Sequence, residues 1–212
     1  MVIDVQLILI LLFALILLAC DINFANCGGN LHMLESITTQ DIIAGDVFFE
    51  VLDPEELEYT YRLRPAKDFG APFNASFRFP RIALVPAVPF DACSSSGIRN
   101  GDDLMGNVAL VERGDCSFLS KTINVERHGA LAVIITESSA SEGGEDEYYI
   151  EMVHDNTGRE SNIPAGFLIG INGRIIVQTL KKLRRNYAII NIPVNLTFTP
   201  PHEINHPPWL GW

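Results

Sequence analysis

Charge is scarce in this sequence, and positive charge is the scarcer sign. Only 19% of its 212 residues are charged, and 15 Lys plus Arg face 26 Asp plus Glu for a formal net charge of −11. Too few cations remain to neutralise a row of phosphates, so nucleic-acid binding is excluded as the main task. The same balance argues against adhesion to an anionic membrane surface. Cysteine is sparse too, with four in the chain and no Cys-x-x-Cys pair to begin a zinc site. There is no Gly-x-Gly-x-x-Gly phosphate-binding turn and no Gly-x-Ser-x-Gly nucleophile elbow. Disorder is excluded from the other side, because 48% of the residues are hydrophobic and 12 are Phe. What remains is a globular chain with enough apolar material for one real core.

Its longest apolar run comes first. Val5 to Ala19 is interrupted only by Gln6 and ends before Asp21. Fifteen residues are short for a membrane span, and the stretch reads as a secretory signal peptide covering residues 1–25. It departs from that pattern in having Asp4 and no Lys or Arg ahead of the apolar run. Small residues allow cleavage after Ala25 or as late as Cys27. Leu18-Ala19-Cys20 also looks like a bacterial lipoprotein processing site, and retention as a signal anchor is the competing reading. No second run of membrane length follows, so stable membrane insertion is not expected. The expected destination is secretion through the endoplasmic reticulum and Golgi.

Export governs how the cysteines are read. Cys20 and Cys27 lie at the leader, which leaves Cys93 and Cys116 inside the mature domain as the natural disulfide pair. The loop they would close is worth about 3–4 kcal/mol in the chain-entropy model. Cleavage after Ala25 would leave Cys27 as an odd thiol. Asn74-Ala75-Ser76 and Asn195-Leu196-Thr197 are N-glycosylation acceptors under the same assumption.

Along the chain, Val47–Leu52 and Glu58–Leu63 read as strands around an Asp53-Pro54 turn, and Phe77–Ala87 as a third. Asp91 to Asp103 is rich in Ser, Gly and Asp and reads as loop. The best-defined unit starts at Gly106. Val108–Val111 is an apolar strand, Ser117 caps a helix to about His128 with Phe118, Thr122 and Val125 on one side, and Gly129 closes it. Leu131–Ile135 is then continuous in apolar character, as buried parallel strands are. Strand, helix, strand makes a right-handed βαβ unit. Beyond the acidic loop 142–147, Tyr148–Val153 reads as a strand. Asn172 reads as the cap of a helix Gly173–Arg185 with Ile176, Leu180 and Leu183 at core spacing, and Tyr187–Val194 as the last strand.

Three motifs invite a stronger reading than their context allows. His202-Glu203-Ile204-Asn205-His206 fits the His-Glu-x-x-His pattern of zinc peptidases, which requires a helix through both His. Pro200-Pro201 and Pro207-Pro208 bracket it and exclude that helix. The acidic loop 142–147 lacks the ligand order of a calcium loop. Lys181-Lys182-Leu183-Arg184-Arg185 reads as basic residues favourable to the end of a helix rather than as a localisation patch. No base is evident for a nucleophile, although a Ser meeting His154 in space would make one. No metal and no cofactor are expected.

Gly106-Asn107-Val108-Ala109-Leu110-Val111-Glu112-Arg113-Gly114-Asp115-Cys116-Ser117-Phe118, then Lys121 and Gly129-Ala130-Leu131-Ala132-Val133-Ile134, resembles the core of the protease-associated (PA) domain. Ile163-Pro164-Ala165 before a strand is similar as well. The resemblance implies an α+β fold, a curled mixed sheet or barrel flanked by two main helices, over residues 46–196. It implies that Arg113-Gly114-x-Cys116 is the turn entering the helix, with Cys116 bonded to Cys93. Relatives carry such domains inside peptidases, sorting receptors and ubiquitin ligases, where they hold or screen protein substrates without catalytic residues of their own. The implied function is therefore a non-catalytic, secreted interaction or regulatory module. It is read as a lone PA domain binding a protease, receptor or cargo protein in trans. An extracellular hydrolase with a site hidden from the sequence is the alternative. The Pro- and Trp-rich tail 197–212 is expected to fold back and bury Trp209, or else to offer Trp209 and Trp212 as the anchor for that partner.

Overall fold

The computed structural model describes residues 45–74, 77–137 and 148–210. Seven strands close into a barrel in the order β1-β2-β6-β5-β4-β3-β7. They are β1 (Val47–Asp53), β2 (Thr60–Pro65), β3 (Phe79–Pro86), β4 (Val108–Glu112), β5 (Ala132–Thr136), β6 (Ala165–Leu168) and β7 (Ala188–Val194). Strands β3, β4, β5 and β6 run parallel to one another. Strands β1, β2 and β7 close the wall by antiparallel pairing. The sheet is mixed and fully curled, and the α+β class holds.

Alternation along the strands separates two cores. Phe49 and Val51, Tyr61 and Leu63, Ile82 and Leu84, Val108 and Leu110, Ile134, Leu168 and Ile190 form one cluster to which every strand contributes. That cluster fills the barrel. The opposite faces of the parallel strands, with Val85, Ala109, Val111, Val133, Ile135 and Phe167, pack outward against Leu104, Leu119, Ile123 and Val125. Strands β4 and β5 are thus buried on both faces, which is why they read as unbroken apolar runs.

Among the described residues three α-helices attend the barrel: α1 (Gly101–Leu104), α2 (Phe118–Glu126) and α3 (Gly170–Lys182). Helix α2 starts as its sequence directs, with Ser117 Oγ accepting from the Ser120 N–H at 3.1 Å. Its apolar face is wider than the expected Phe118-Thr122-Val125 stripe. Lys121 and Asn124 are buried as well, because the 91–98 segment lies across the helix. Lys121 Nζ donates to the Asp91 carbonyl at 2.6 Å, and Asn124 Nδ2 to that of Ala92 at 2.9 Å. His128 Nε2 meets the carbonyl of Ser95 at 2.7 Å. That segment is also less irregular than its composition implies, since it contains a 3-10 turn at Ser95–Gly97 and leads into α1.

Two further expectations need correction. Helix α3 begins three residues earlier, with Ile169 at the cap position, and Asn172 is a buried residue of its first turn. Gly170 and Gly173 are helical because the helix crosses β5 at close range. A Cβ on Gly173 would lie 2.0 Å from Thr136 Oγ1. Tyr148–Val153 forms no strand. Its β-prone residues find no free ladder, because β2 is already paired with β6 and the barrel has no open edge.

Candidate functional site

A cleft of about 840 Å³ opens at one side of the barrel. It lies between the start of β1, the loop that leaves β2, and the 154–161 segment. That volume is in the range of ligand and peptide-side-chain pockets. Pro65-Ala66-Lys67-Asp68-Phe69-Gly70 forms one wall. Phe69 is buried in the outer core and anchors the loop. Gly70 has φ +75, and a Cβ there would meet the Ile163 carbonyl oxygen at 2.7 Å, so only glycine fits. The two walls are stitched through the backbone. Ala66 N–H donates to Ala165 O at 2.9 Å and Ala71 N–H to Ile163 O at 3.2 Å. Asp68 Oδ1 accepts from the His154 N–H at 2.6 Å, and Lys67 pairs with Glu151 at 3.3 Å in an exposed bridge.

Beside the cleft, Asp46 is buried and held by both Arg62 and Arg64. The two guanidinium groups lie 5.2 and 5.0 Å from the centre of the Tyr149 ring. Tyr149 donates to the Arg62 carbonyl at 3.3 Å. Burial pushes its phenol up to about 12, with the nearby arginines opposing. On the far side Glu126 fixes the 161–162 turn, accepting from Ser161 Oγ at 2.7 Å and from Asn162 N–H at 3.0 Å.

His154 and Ser161 both line this cleft, so the sequence's one open route to nucleophilic catalysis can be examined atom by atom. His154 Nδ1 accepts from the Asn156 N–H at 2.9 Å, and Nε2 faces the Arg159 carbonyl at 3.0 Å. The carbonyl can only accept, so Nε2 carries the proton and Nδ1 has its lone pair committed. Ser161 Oγ is turned to Glu126. The structure thus brings the two residues to one cleft without joining them in a nucleophile–base pair.

The neighbouring Asp155 ties this wall to the start of α2. Its carboxylate accepts from Ser117 Oγ at 2.5 Å and from Thr157 Oγ1 at 2.6 Å, and pairs with Arg159 at 2.6 Å. The hydrogen bonds from Ser117 and Thr157 hold its carboxyl well below the usual range. Because the Ser117 hydroxyl has one proton, given to Asp155, Ser120 must donate to Ser117 across their 2.8 Å contact. The cap of α2 and the wall of the cleft are one network, which no pairwise motif announces.

The remaining sequence candidates fall elsewhere. Cys93 and Cys116 form a disulfide with Cα atoms 5.7 Å apart. It joins the 91–98 segment to the turn between β4 and α2. Asn74 is exposed in the loop beyond the cleft, while Ala75 and Ser76 of its sequon lie outside the described residues. Asn195 is exposed just after β7, and its Oδ1 accepts from Thr197 N–H at 3.0 Å. Trp209 is half-buried against the barrel core, edge-on to Tyr59 with ring centres 5.4 Å apart. Its Nε1 donates to Asn172 Oδ1 at 2.8 Å. Trp212, the leader, Cys20, Cys27 and the acidic loop 142–147 lie outside the described residues.

Of the His-Glu-x-x-His pattern, Pro201–Glu203 makes a single 3-10 turn and the rest is irregular. Among the described residues no group of three or more His, Cys, Asp or Glu is placed to hold a metal ion. No helix among them is long and apolar enough to cross a membrane. In the basic run, Lys181 and Lys182 close α3, whereas Arg185 reaches back to pair with Asp53 on β1.

Comparison with known proteins fits this architecture. The PA domain family matches residues 81–176. A PRADC1-like protein of Drosophila melanogaster is 64% identical over 176 residues, which are 83% of this chain and 87% of the relative. The ER degradation-enhancing alpha-mannosidase-like protein 3 of Xenopus laevis is 29% identical over 124 residues, 58% of this chain but 13% of that protein. Among solved structures, a zinc aminopeptidase from Bacillus subtilis is similar at 18% identity with a TM-score of 0.49, over 69% of this chain and 29% of its own. The first match, spanning most of both sequences, decides the affiliation: the chain belongs to the family of PA domain-containing protein 1.

Proposed function

We propose that this protein is a secreted, non-catalytic interaction module whose PA domain binds a protein partner in trans, with the cleft beside the 65–73 loop as the contact. The observation that carries the reading is the state of His154. It is the cleft's only imidazole among the described residues, and both its nitrogens are engaged by backbone groups. A general base needs a free lone pair within reach of a nucleophile. The walls are hydrogen-bonded to each other, and Lys67, Asp68 and Glu160 give the cleft charged, orienting groups of both signs. A wall stitched in advance lowers the ordering cost of binding.

The Cys93–Cys116 disulfide is in keeping with export through the endoplasmic reticulum and Golgi. In the secreted form Asn74 and Asn195 are proposed to carry N-glycans. In the mannosidase-like relative the matched stretch is a small part of a longer protein. That arrangement supports reading the domain as an accessory to another activity rather than as the activity itself.

Two measurements test the proposal. Cross-linking and affinity capture from secreting cells should yield a stoichiometric partner that Lys67→Glu loses, with the melting temperature unchanged. Purified protein should hydrolyse no peptide or ester substrate. Turnover abolished by His154→Ala would replace this reading with the hydrolase alternative.

A further inference from the structure

Lys121 is fully buried, and the ion pairs among the described residues include none to its amine. Its partners are the carbonyl of Asp91 at 2.6 Å and Cys93 Sγ at 3.3 Å, half of the disulfide. Removing an ammonium from water costs several kcal/mol unless a counter-charge compensates. A neutral disulfide sulfur is a poor counter-charge, whereas a thiolate is a good one. The oxidised protein therefore leaves this cation poorly matched, and opening the disulfide supplies the missing anion at contact distance. From this arrangement we infer that Cys93–Cys116 is a thiol–disulfide exchange site, with Cys116 the sulfur attacked and Cys93 the leaving thiolate held by Lys121.

The two sulfurs are placed differently enough to set that direction. Cys116 lines an open surface hollow of about 380 Å³ with Arg113, Gly114, Asp115, Ser117 and Phe118. Cys93 has the buried amine at its sulfur. An external thiolate, such as that of glutathione, forms a new S–S bond to Cys116 Sγ. The Cys93–Cys116 bond breaks, and its electron pair leaves on Cys93. A second thiolate then attacks the incoming sulfur of the mixed disulfide, leaving as the oxidised dimer and freeing Cys116 as a thiolate that takes a proton from water. A good leaving group accelerates the first step and stabilises its product.

Lys121 also feels Asp91, Asp115 and Glu112, while burial pulls its own proton affinity down. The carboxylates favour the ammonium and oppose the thiolate, but they act from beyond salt-bridge range. The 3.3 Å contact to Cys93 is the nearest charge partner the thiolate would have.

The test uses the full secreted chain. With the disulfide reduced, iodoacetamide labelling resolved by peptide mass should give Cys93 a midpoint at least one pH unit below the ordinary thiol value of about 8.5. Incubation of the oxidised protein with glutathione should place the mixed disulfide on Cys116. In Lys121→Met the Cys93 midpoint should return to the ordinary value. The equilibrium with glutathione should shift at least tenfold toward the disulfide, about 30 mV. An ordinary Cys93 profile in the unaltered protein, or glutathione attached to Cys93, overturns the inference even if Lys121→Met fails to fold. An exchange equilibrium unchanged in a folded Lys121→Met does the same.

Discussion

Replacing Trp209 by alanine tests whether the tail is part of the fold. The indole is half-buried against the core that fills the barrel. Complete truncation of a buried Trp costs about 3–5 kcal/mol, so half burial sets about 2 kcal/mol. The edge-on pair with Tyr59 adds about 1 kcal/mol. The larger surprise is Asn172, fully buried in α3 with Nδ2 lacking a partner among the described residues. Its Oδ1 is satisfied by Trp209. Without the indole the buried amide is stranded at both ends, at a further cost of about 1–3 kcal/mol.

Trp209→Ala should therefore lose about 4–6 kcal/mol, and for a domain of this size that lowers the melting temperature by roughly 10–20 °C. Trp209→Phe keeps the ring contact and drops only the hydrogen bond, so it should lose about 1–3 kcal/mol. Combining Trp209→Phe with Asn172→Ala separates the two effects, because the loss should be smaller than the sum of the single changes. Calorimetry on the oxidised protein decides. A Trp209→Ala melt within about 2 °C of the parent would refute docking and free the aromatic for a partner.

Three further outcomes follow from single contacts. Gly173→Ala forces a methyl to within 2.0 Å of Thr136 Oγ1, so urea denaturation should show a loss of about 2–3 kcal/mol, and an unchanged midpoint would mean α3 is not that close to β5. Ser117→Ala removes the cap of α2, at about 1 kcal/mol near neutrality. Because the folded carboxyl of Asp155 is depressed, its stabilisation is present above about pH 4 and is lost as pH falls below that, so this variant should show a shallower acid decline than the parent. Tyr149 titrates at about 12, above its unfolded value near 10, so its contribution persists below about pH 10 and fades between there and about pH 12. In Tyr149→Phe the late phenolate absorbance at 295 nm should shrink by one tyrosine, leaving the later step of Tyr61, whose phenol burial raises further still.

The sequence is most legible where one residue's local chemistry and its final packing agree. Val108–Val111, Ser117 and Leu131–Ile135 announce strand, cap and strand because parallel strands buried on both faces leave no alternation to misread. Legibility fails where distant segments meet. Nothing local to Lys121, Asn124 or His128 names a partner, yet each turns to a carbonyl of the 91–95 segment, which the disulfide ties to the entrance of α2. The sequence reading starts the last helix at Gly173 and leaves Gly170 outside it, whereas the helix begins at Gly170 and Gly173 is where it passes closest to Thr136. The cleft was hidden for the same reason. Residues 65–73 and 152–165 share no periodicity, and the stitches between them are largely backbone groups, which every sequence possesses.

Barrel closure restricts how any partner can be recognised. An exposed sheet edge recruits extended peptides through a row of free N–H and C=O groups. Here every strand has two neighbours, so strand addition is closed off. The two loops beside the cleft have also spent several backbone groups on each other, among them Ala66 N–H and Ala71 N–H. A partner must then be read chiefly through side chains, with Lys67 and Glu160 exposed at the cleft. Such recognition is sensitive to charge reversal and to salt, whereas a strand-adding groove would tolerate both. Binding should therefore weaken measurably as ionic strength rises and fail in Lys67→Glu. A partner held unchanged through both perturbations must use another face of the barrel, and the Phe198 side chain, 94% exposed beyond β7, would be the next place to look.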